Sequence, residues 1–193
     1  AMLAPDRWEV YYNTAVIYIK LNEMKKAEEE MLKAIKHRAP QAEAYTALGT
    51  VYAGRGSLTK AAEAFERALI HSKSLNTLIN VANVYQAMGQ NEKAVKYYRQ
   101  AESLEPGNQI IHYNMGILFY KMGHLKRAHE EFSRAPDYVK ANIKASHSLA
   151  QTLLKLGEYE AALNILKEAA GKYPDTPDTY KYMGIIYEIY MDD

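Results

Sequence analysis

Between Leu75 and Asn108 the apolar residues fall into two stripes. Leu78, Val81, Ala82 and Tyr85 recur three or four residues apart, and Ala94, Tyr98, Ala101 and Leu104 do so again. That spacing places each set on one face of a helix. Gly89 stands between the stripes, where a helix end favours a residue that tolerates the left-handed conformation. Pro106-Gly107 cannot continue the second helix. The pattern predicts two short amphipathic helices joined by a tight turn. Each is too short to be stable alone in water, so each needs a neighbour to cover its apolar face.

The same unit recurs along the chain. With Leu75 as slot one, slot eight holds Ala15, Gly49, Ala82, Gly116, Ala150 and Gly184, always a residue without bulk. Slot twenty holds Ala27, Ala61, Ala94, Ala128 and Ala162, and slot twenty-seven holds Ala34, Ala68, Ala101, Ala135 and Ala169. Slot fifteen is Asn22, Gly56, Gly89, Gly123 and Gly157. Large residues fill slot eleven (Tyr18, Tyr52, Tyr85, Phe119, Leu153, Tyr187) and slot twenty-four (Met31, Phe65, Tyr98, Phe132, Leu166). A small residue where helix backbones approach, with a large one beside it, is the packing logic expected of stacked helix pairs. The steps from Ala27 to Ala162 are 34, 33, 34 and 34 residues.

This register resembles the tetratricopeptide repeat (TPR) family, whose unit is a helix–turn–helix of about 34 residues. The resemblance covers residues 8 to 190 and implies an all-α fold, a right-handed α-solenoid of antiparallel helix pairs. It implies one array over residues 1–193, with repeats near 8–41, 42–74, 75–108, 109–142 and 143–176 and a sixth first helix over 177–193.

Departures from the register carry expectations of their own. Pro5-Asp6 followed by Glu9 predicts a capped helix start at Asp6. Repeat two closes on a polar turn, His71 to Ser74, without a proline. Pro136 falls in slot twenty-eight, so the second helix of repeat four is expected to stop near Arg134 or Ala135, making the next joint the least regular. Ser146 and Leu153 replace aromatic residues in repeat five, which predicts looser packing there. Gly184 keeps a slot that is small to admit a second helix, so the natural chain is expected to continue past Asp193; the alternative, favoured by Met191 in the turn slot, is that this helix is the native cap.

Composition narrows the function. With 24 Lys+Arg against 23 Asp+Glu the net charge is +1, which gives no electrostatic case for nucleic acid. The chain has no cysteine, hence no disulfide, thiol nucleophile or thiolate metal site. No apolar run reaches the length of a membrane span, and no signal peptide is evident, so cytoplasmic is the default compartment. The six histidines yield no metal or Ser–His–Asp arrangement: His124 and His129 lie five apart, His37 and His71 fall in turns, and His112 takes a packing slot. A non-catalytic chain without cofactor or metal is the expectation.

The resemblance implies a concave groove lined by first helices. Carried over slot by slot, it places Tyr12, Asn13 and Val16 there from repeat one and Thr50 from repeat two. Asn76, Asn80, Asn83 and Gln86 follow from repeat three. Repeats four and five add Tyr113, Asn114, Ile117, Tyr120, Lys144, His147 and Gln151. Side-chain amides can pair with the backbone of an extended peptide, and Tyr113, Ile117 and Tyr120 share one helical face that can anchor an apolar side chain. Some relatives clamp a C-terminal carboxylate with Lys, Asn, Asn, Lys and Arg. Here Asn83, Asn114 and Lys144 match, while Ile79 and Ser148 stand in place of cations. An asparagine ladder at slot six is kept by Asn13, Asn80 and Asn114 and broken by Ala47 and Ser148. The expected function is a protein–protein interaction scaffold that binds a partner's peptide or helix, with repeats three and four as its centre. The alternative is a self-associating scaffold, a homo-oligomer joined through its open last repeat or convex face.

Overall fold

Each pair of stripes becomes two antiparallel helices closed by a left-handed residue. The structure is a computed structural model that describes residues 7–191. It divides into two compact units, one ending at Glu105 and one beginning at Pro106.

The first unit contains α1 (Trp8–Lys20), α2 (Met24–Lys36), α3 (Gln41–Gly54), α4 (Leu58–His71), α5 (Leu75–Ala87) and α6 (Asn91–Leu104). Slot fifteen closes its first helices, with φ of 59° at Asn22 and 72° at Gly89. Only glycine enters that region freely, and asparagine is among the few others that tolerate it. The expected cap at Asp6 lies outside the described residues. Arg7 occupies the N-cap position of α1 without a side-chain cap bond and pairs with Glu9 at 3.6 Å. Met31 and Ala34 of α2 bury in one cluster with Ala15, Ala44 and Leu48.

Slot eight is small for a sharper reason than backbone approach. A methyl at Gly49 would sit 2.6 Å from the Phe65 ring. The ring of slot twenty-four lies directly on the slot-eight residue of its own repeat. On the other side of the pair, cations from slot nineteen cover the slot-eleven rings. Lys26 stands 5.4 Å from Tyr18, Lys60 5.6 Å from Tyr52 and Lys93 4.9 Å from Tyr85.

Tyr85 and Tyr97 stack at 5.6 Å, and both hydroxyls donate to Glu66 Oε1, at 2.6 and 2.8 Å. Burial first, and the Glu66 bond second, push the Tyr85 phenol from its ordinary 10.0 up to about 12. The folded chain thus holds this proton more tightly than the unfolded one, so stability falls as pH rises from 10 through 12. Denaturant midpoints taken across that window should decline less in Tyr85→Phe than in the parent. Equal declines in the two proteins would refute this origin.

The second unit contains α7 (Gln109–Lys121), α8 (Leu125–Ser133), α9 (Pro136–Ala141), α10 (Ile143–Leu156), α11 (Tyr159–Lys172) and α12 (Pro177–Met191). The Phe132 ring lies on Gly116, where a methyl would approach it to 2.6 Å. His112 fills its packing slot and is 1% exposed. Its Nδ1 lies 2.9 Å from Glu131 Oε2, and its Nε2 2.9 Å from the Pro106 carbonyl.

Pro136 acts as expected and then does more. α8 stops at Ser133, with Arg134 as its C-cap, and Pro136 opens the six-residue α9. A proline is well placed in a first turn, since its missing N–H would have no partner there. α9 also bears on repeat five. Ser146 and Leu153 are 4% and 3% exposed, and the Ser146 hydroxyl donates to the α9 carbonyl of Val139 at 2.7 Å. A cleft of about 220 Å³ beside Ser146, lined also by Ile165 and Ala169, marks the room the missing aromatic leaves.

Candidate functional site

In the first unit three successive first helices face one opening. α1, α3 and α5 enclose a cleft of about 380 Å³ lined by Tyr12, Ile19, Glu43, Thr46, Thr50 and Asn76, among others. Tyr12 is half-buried and set edge-on against Trp8 at 6.1 Å. Thr46 donates to the Ala42 carbonyl at 2.7 Å, so its 2.9 Å bond with Thr77 has Thr77 as donor. Thr50 donates to the Thr46 carbonyl at 3.1 Å. These hydroxyl hydrogens are spent within the protein, which leaves oxygen lone pairs for an incoming N–H. Asn76, exposed at the rim, offers both a donor and an acceptor.

Of the residues expected in the groove, Tyr12, Thr50 and Asn76 line this cleft. Asn13 is exposed elsewhere on α1, and Val16 and Asn80 are half-buried outside it. Asn83 and Gln86 are tied down: the Tyr98 hydroxyl donates to Asn83 Oδ1 and, at 3.1 Å, to Gln86 Oε1. The one hydroxyl hydrogen is shared between the two amide oxygens, and the amide N–H groups of both residues take no part in this contact. Burial raises the Tyr98 phenol far above its ordinary range, so it remains a donor. The register marked Tyr98 as core and gave no sign of this bond, nor of Thr46 and Thr77.

In the second unit a polar chain crosses three first helices. Tyr120 of α7 donates to Gln151 Oε1 of α10 at 3.4 Å, and Gln151 Nε2 donates to the Tyr182 hydroxyl of α12. The Lys155 ammonium stands 4.5 Å over the Tyr120 ring. His147 Nε2 lies 2.8 Å from Thr179 Oγ1, and its ring meets Tyr182 edge-on at 5.3 Å. Burial lowers the affinity of His147 for a proton, against the opposing pull of Asp178, which favours the neutral imidazole.

Tyr113 departs from its expected role. Its ring leans on Phe132 at 6.0 Å and on Tyr138 of α9 at 4.9 Å. It is a packing residue first, and burial raises its hydroxyl pKa. Asn114 and Ile117 are half-buried and Lys144 is exposed. Thr179 and Tyr182 were absent from the expected set. Both lie on α12, whose inward slots continue those of α7 and α10.

Stacked helix pairs with small residues under rings define a class of helical repeat protein, and comparison with known proteins agrees. Three tetratricopeptide repeat models match, over residues 12–74, 82–123 and 143–186, which together make up most of the chain. The chain belongs to the tetratricopeptide repeat family and folds as an all-α, right-handed solenoid of antiparallel helix pairs. It is 23% identical over 187 residues to BBSome complex member BBS4 of Bos taurus, covering 97% of this chain and 30% of that protein. Among solved structures, a tetratricopeptide repeat protein from Parabacteroides merdae superposes with a TM-score of 0.81 at 21% identity, over 95% of this chain and 73% of the other. YrrB, described as a TPR protein with an unusual peptide-binding site, superposes with a TM-score of 0.71 at 23% identity, over 89% of each chain. The chain spans less than a third of the length of the curated relatives it matches. Among the described residues no helix is long and apolar enough to cross a membrane.

Proposed function

We propose that this chain is a non-catalytic protein–protein interaction scaffold that takes an extended peptide of a partner protein in the cleft between α1, α3 and α5. The carrying observation is the convergence of Tyr12 and Ile19 with Thr50 and Asn76 on one opening of about 380 Å³. An apolar side chain of the peptide sits between Tyr12 and Ile19. Its backbone N–H groups meet the threonine oxygens, and Asn76 pairs with the next peptide unit. The peptide-binding site described for YrrB supports the reading as a likeness. The amides and aromatics of α7, α10 and α12, with Asn114, Ile117 and Lys144 beside them, form a second contact face of the same kind. The His112–Glu131 pair, 1% and 5% exposed, belongs to the packing in this picture.

Selection of peptides from a displayed random library on the immobilised chain tests the proposal. Selected peptides should lose about tenfold or more in affinity on Tyr12→Ala combined with Asn76→Ala, a loss usual for an anchor residue, with helicity by circular dichroism retained at the assay temperature. Peptides that bind the double variant as well as the parent would place the site elsewhere. Self-association through the last repeat or the convex face, the competing reading, would show as a mass that rises with concentration in light scattering, and a strict monomer at high concentration would argue against it.

A further inference from the structure

The polar side chains that α3 contributes to the cleft between α1, α3 and α5 offer acceptors only. Glu43, Thr46 and Thr50 follow one another at spacings of three and four, so they form one line down the helix. Both threonine hydroxyls donate to the α3 backbone, which leaves their oxygens as acceptors. The Glu43 carboxylate can only accept. It is exposed, and it is the one charged group among the described residues that line the cleft. Glu9 of α1 and Glu28 of α2 are matched by Arg7 and Arg55. No described cation matches Glu43. An acid in the first turn of a helix also interacts well with the helix dipole, and Glu43 gains from that. Glu92 holds the same place in α6, exposed, and is not among the residues of this cleft. The two contributions can therefore be separated.

We infer that the peptide taken in this cleft is basic: beside the apolar residue held between Tyr12 and Ile19 it carries an arginine or lysine whose N–H groups donate to the Glu43 carboxylate. The inference rests on the peptide reading above and adds the charge of the ligand. No lysine, arginine or histidine is among the described residues that line the cleft, so nothing there offsets Glu43. Lys73 is exposed between Ser72 and Ser74 but is not one of them. An acidic peptide would set its carboxylates against Glu43 and the threonine oxygens, with no cation to receive them. Charges at an interface rim govern encounter rate and partner choice more than affinity. Glu43 is thus a selectivity residue, while Tyr12 and Asn76 supply the hold.

The test uses peptides selected from the displayed library on the whole chain, resynthesised with blocked termini so that only side chains carry charge. Arginine or lysine should be enriched beside the apolar anchor. Replacing it with glutamine should weaken binding by about two- to fivefold, as much as an exposed ion pair contributes. Glu43→Gln should bring the same loss to the cationic peptide and none to its glutamine counterpart, whereas Glu92→Gln should leave both unchanged. The loss should fade in about 1 M salt, where charges are screened beyond about 3 Å. A peptide with glutamate in place of the cation should bind Glu43→Lys more tightly than it binds the parent, a gain that a misfolded variant cannot give. Peptides that need Tyr12 and Asn76 yet carry no cation, or that bind Glu43→Gln as tightly as the parent, overturn the inference and leave the peptide reading standing. A library that yields no binder, or only binders indifferent to Tyr12→Ala with Asn76→Ala, overturns both.

Discussion

Phe132→Ala is expected to destabilise the second unit by about 3–5 kcal/mol, the range for emptying a buried phenylalanine site. The ring is fully buried, lies on Gly116 and has Tyr113 at 6.0 Å. Its site cannot easily collapse, because two helix backbones fix its walls. Urea denaturation followed by circular dichroism reads the loss. The converse substitution supplies the internal check. Gly116→Ala places a methyl 2.6 Å from the ring and should cost about 1–3 kcal/mol by overpacking. Gly116→Ala combined with Phe132→Leu should cost less than the two changes summed, since residues in contact are not additive. Gly184→Ala, the same change where nothing lies within 4 Å, should instead stabilise by up to about 1 kcal/mol through helix propensity. Additive effects at 116 and 132, or a destabilised Gly184→Ala, would contradict this account of slot eight.

That contrast shows how far the register reads and where it stops. Small residues at slot eight announced the repeat, and Gly49, Gly116 and Gly184 hold the same place in it. The helices, their turns at Asn22 and Gly89, and the break before Pro136 all follow from local rules of spacing and backbone conformation. The bonding partners do not. Asn83 and Gln86 fall on the inward slots of α5, yet their oxygens accept from Tyr98. Spacing tells which side of a helix a residue faces, not whether a ring from the next helix reaches it first. Tyr113 fails as an exposed anchor because α9 brings Tyr138 to 4.9 Å, and α9 has no counterpart in the other repeats. Tyr120, Gln151 and Tyr182 lie 31 residues apart in sequence. That interval is shorter than the repeat, so a search by slot passes over their bonds.

Glu131→Leu is expected to cost about 1–3 kcal/mol, the range for stranding a buried polar atom. The Pro106 carbonyl can only accept, so His112 Nε2 carries a hydrogen toward it. Nδ1 meets Glu131 Oε2 at 2.9 Å in a site where the two residues are 1% and 5% exposed. With leucine at 131 no polar atom replaces that oxygen. Arg134, which pairs with Glu131 at 3.6 Å, has its side chain 47% exposed and can turn to water, so the loss is centred on His112. Glu131→Gln should cost less, because an amide N–H can donate to Nδ1 of the neutral ring. The decisive comparison is His112→Leu with Glu131→Leu together. Replacing both members of a buried polar pair by apolar groups is often close to neutral. Leu78 already fills the position of His112 in repeat three, 2% exposed. The double variant should therefore unfold at a higher urea concentration than Glu131→Leu alone. If it instead proves less stable than either single variant, the pair contributes more than mutual satisfaction, and the bond from His112 to Pro106 is what the second unit depends on.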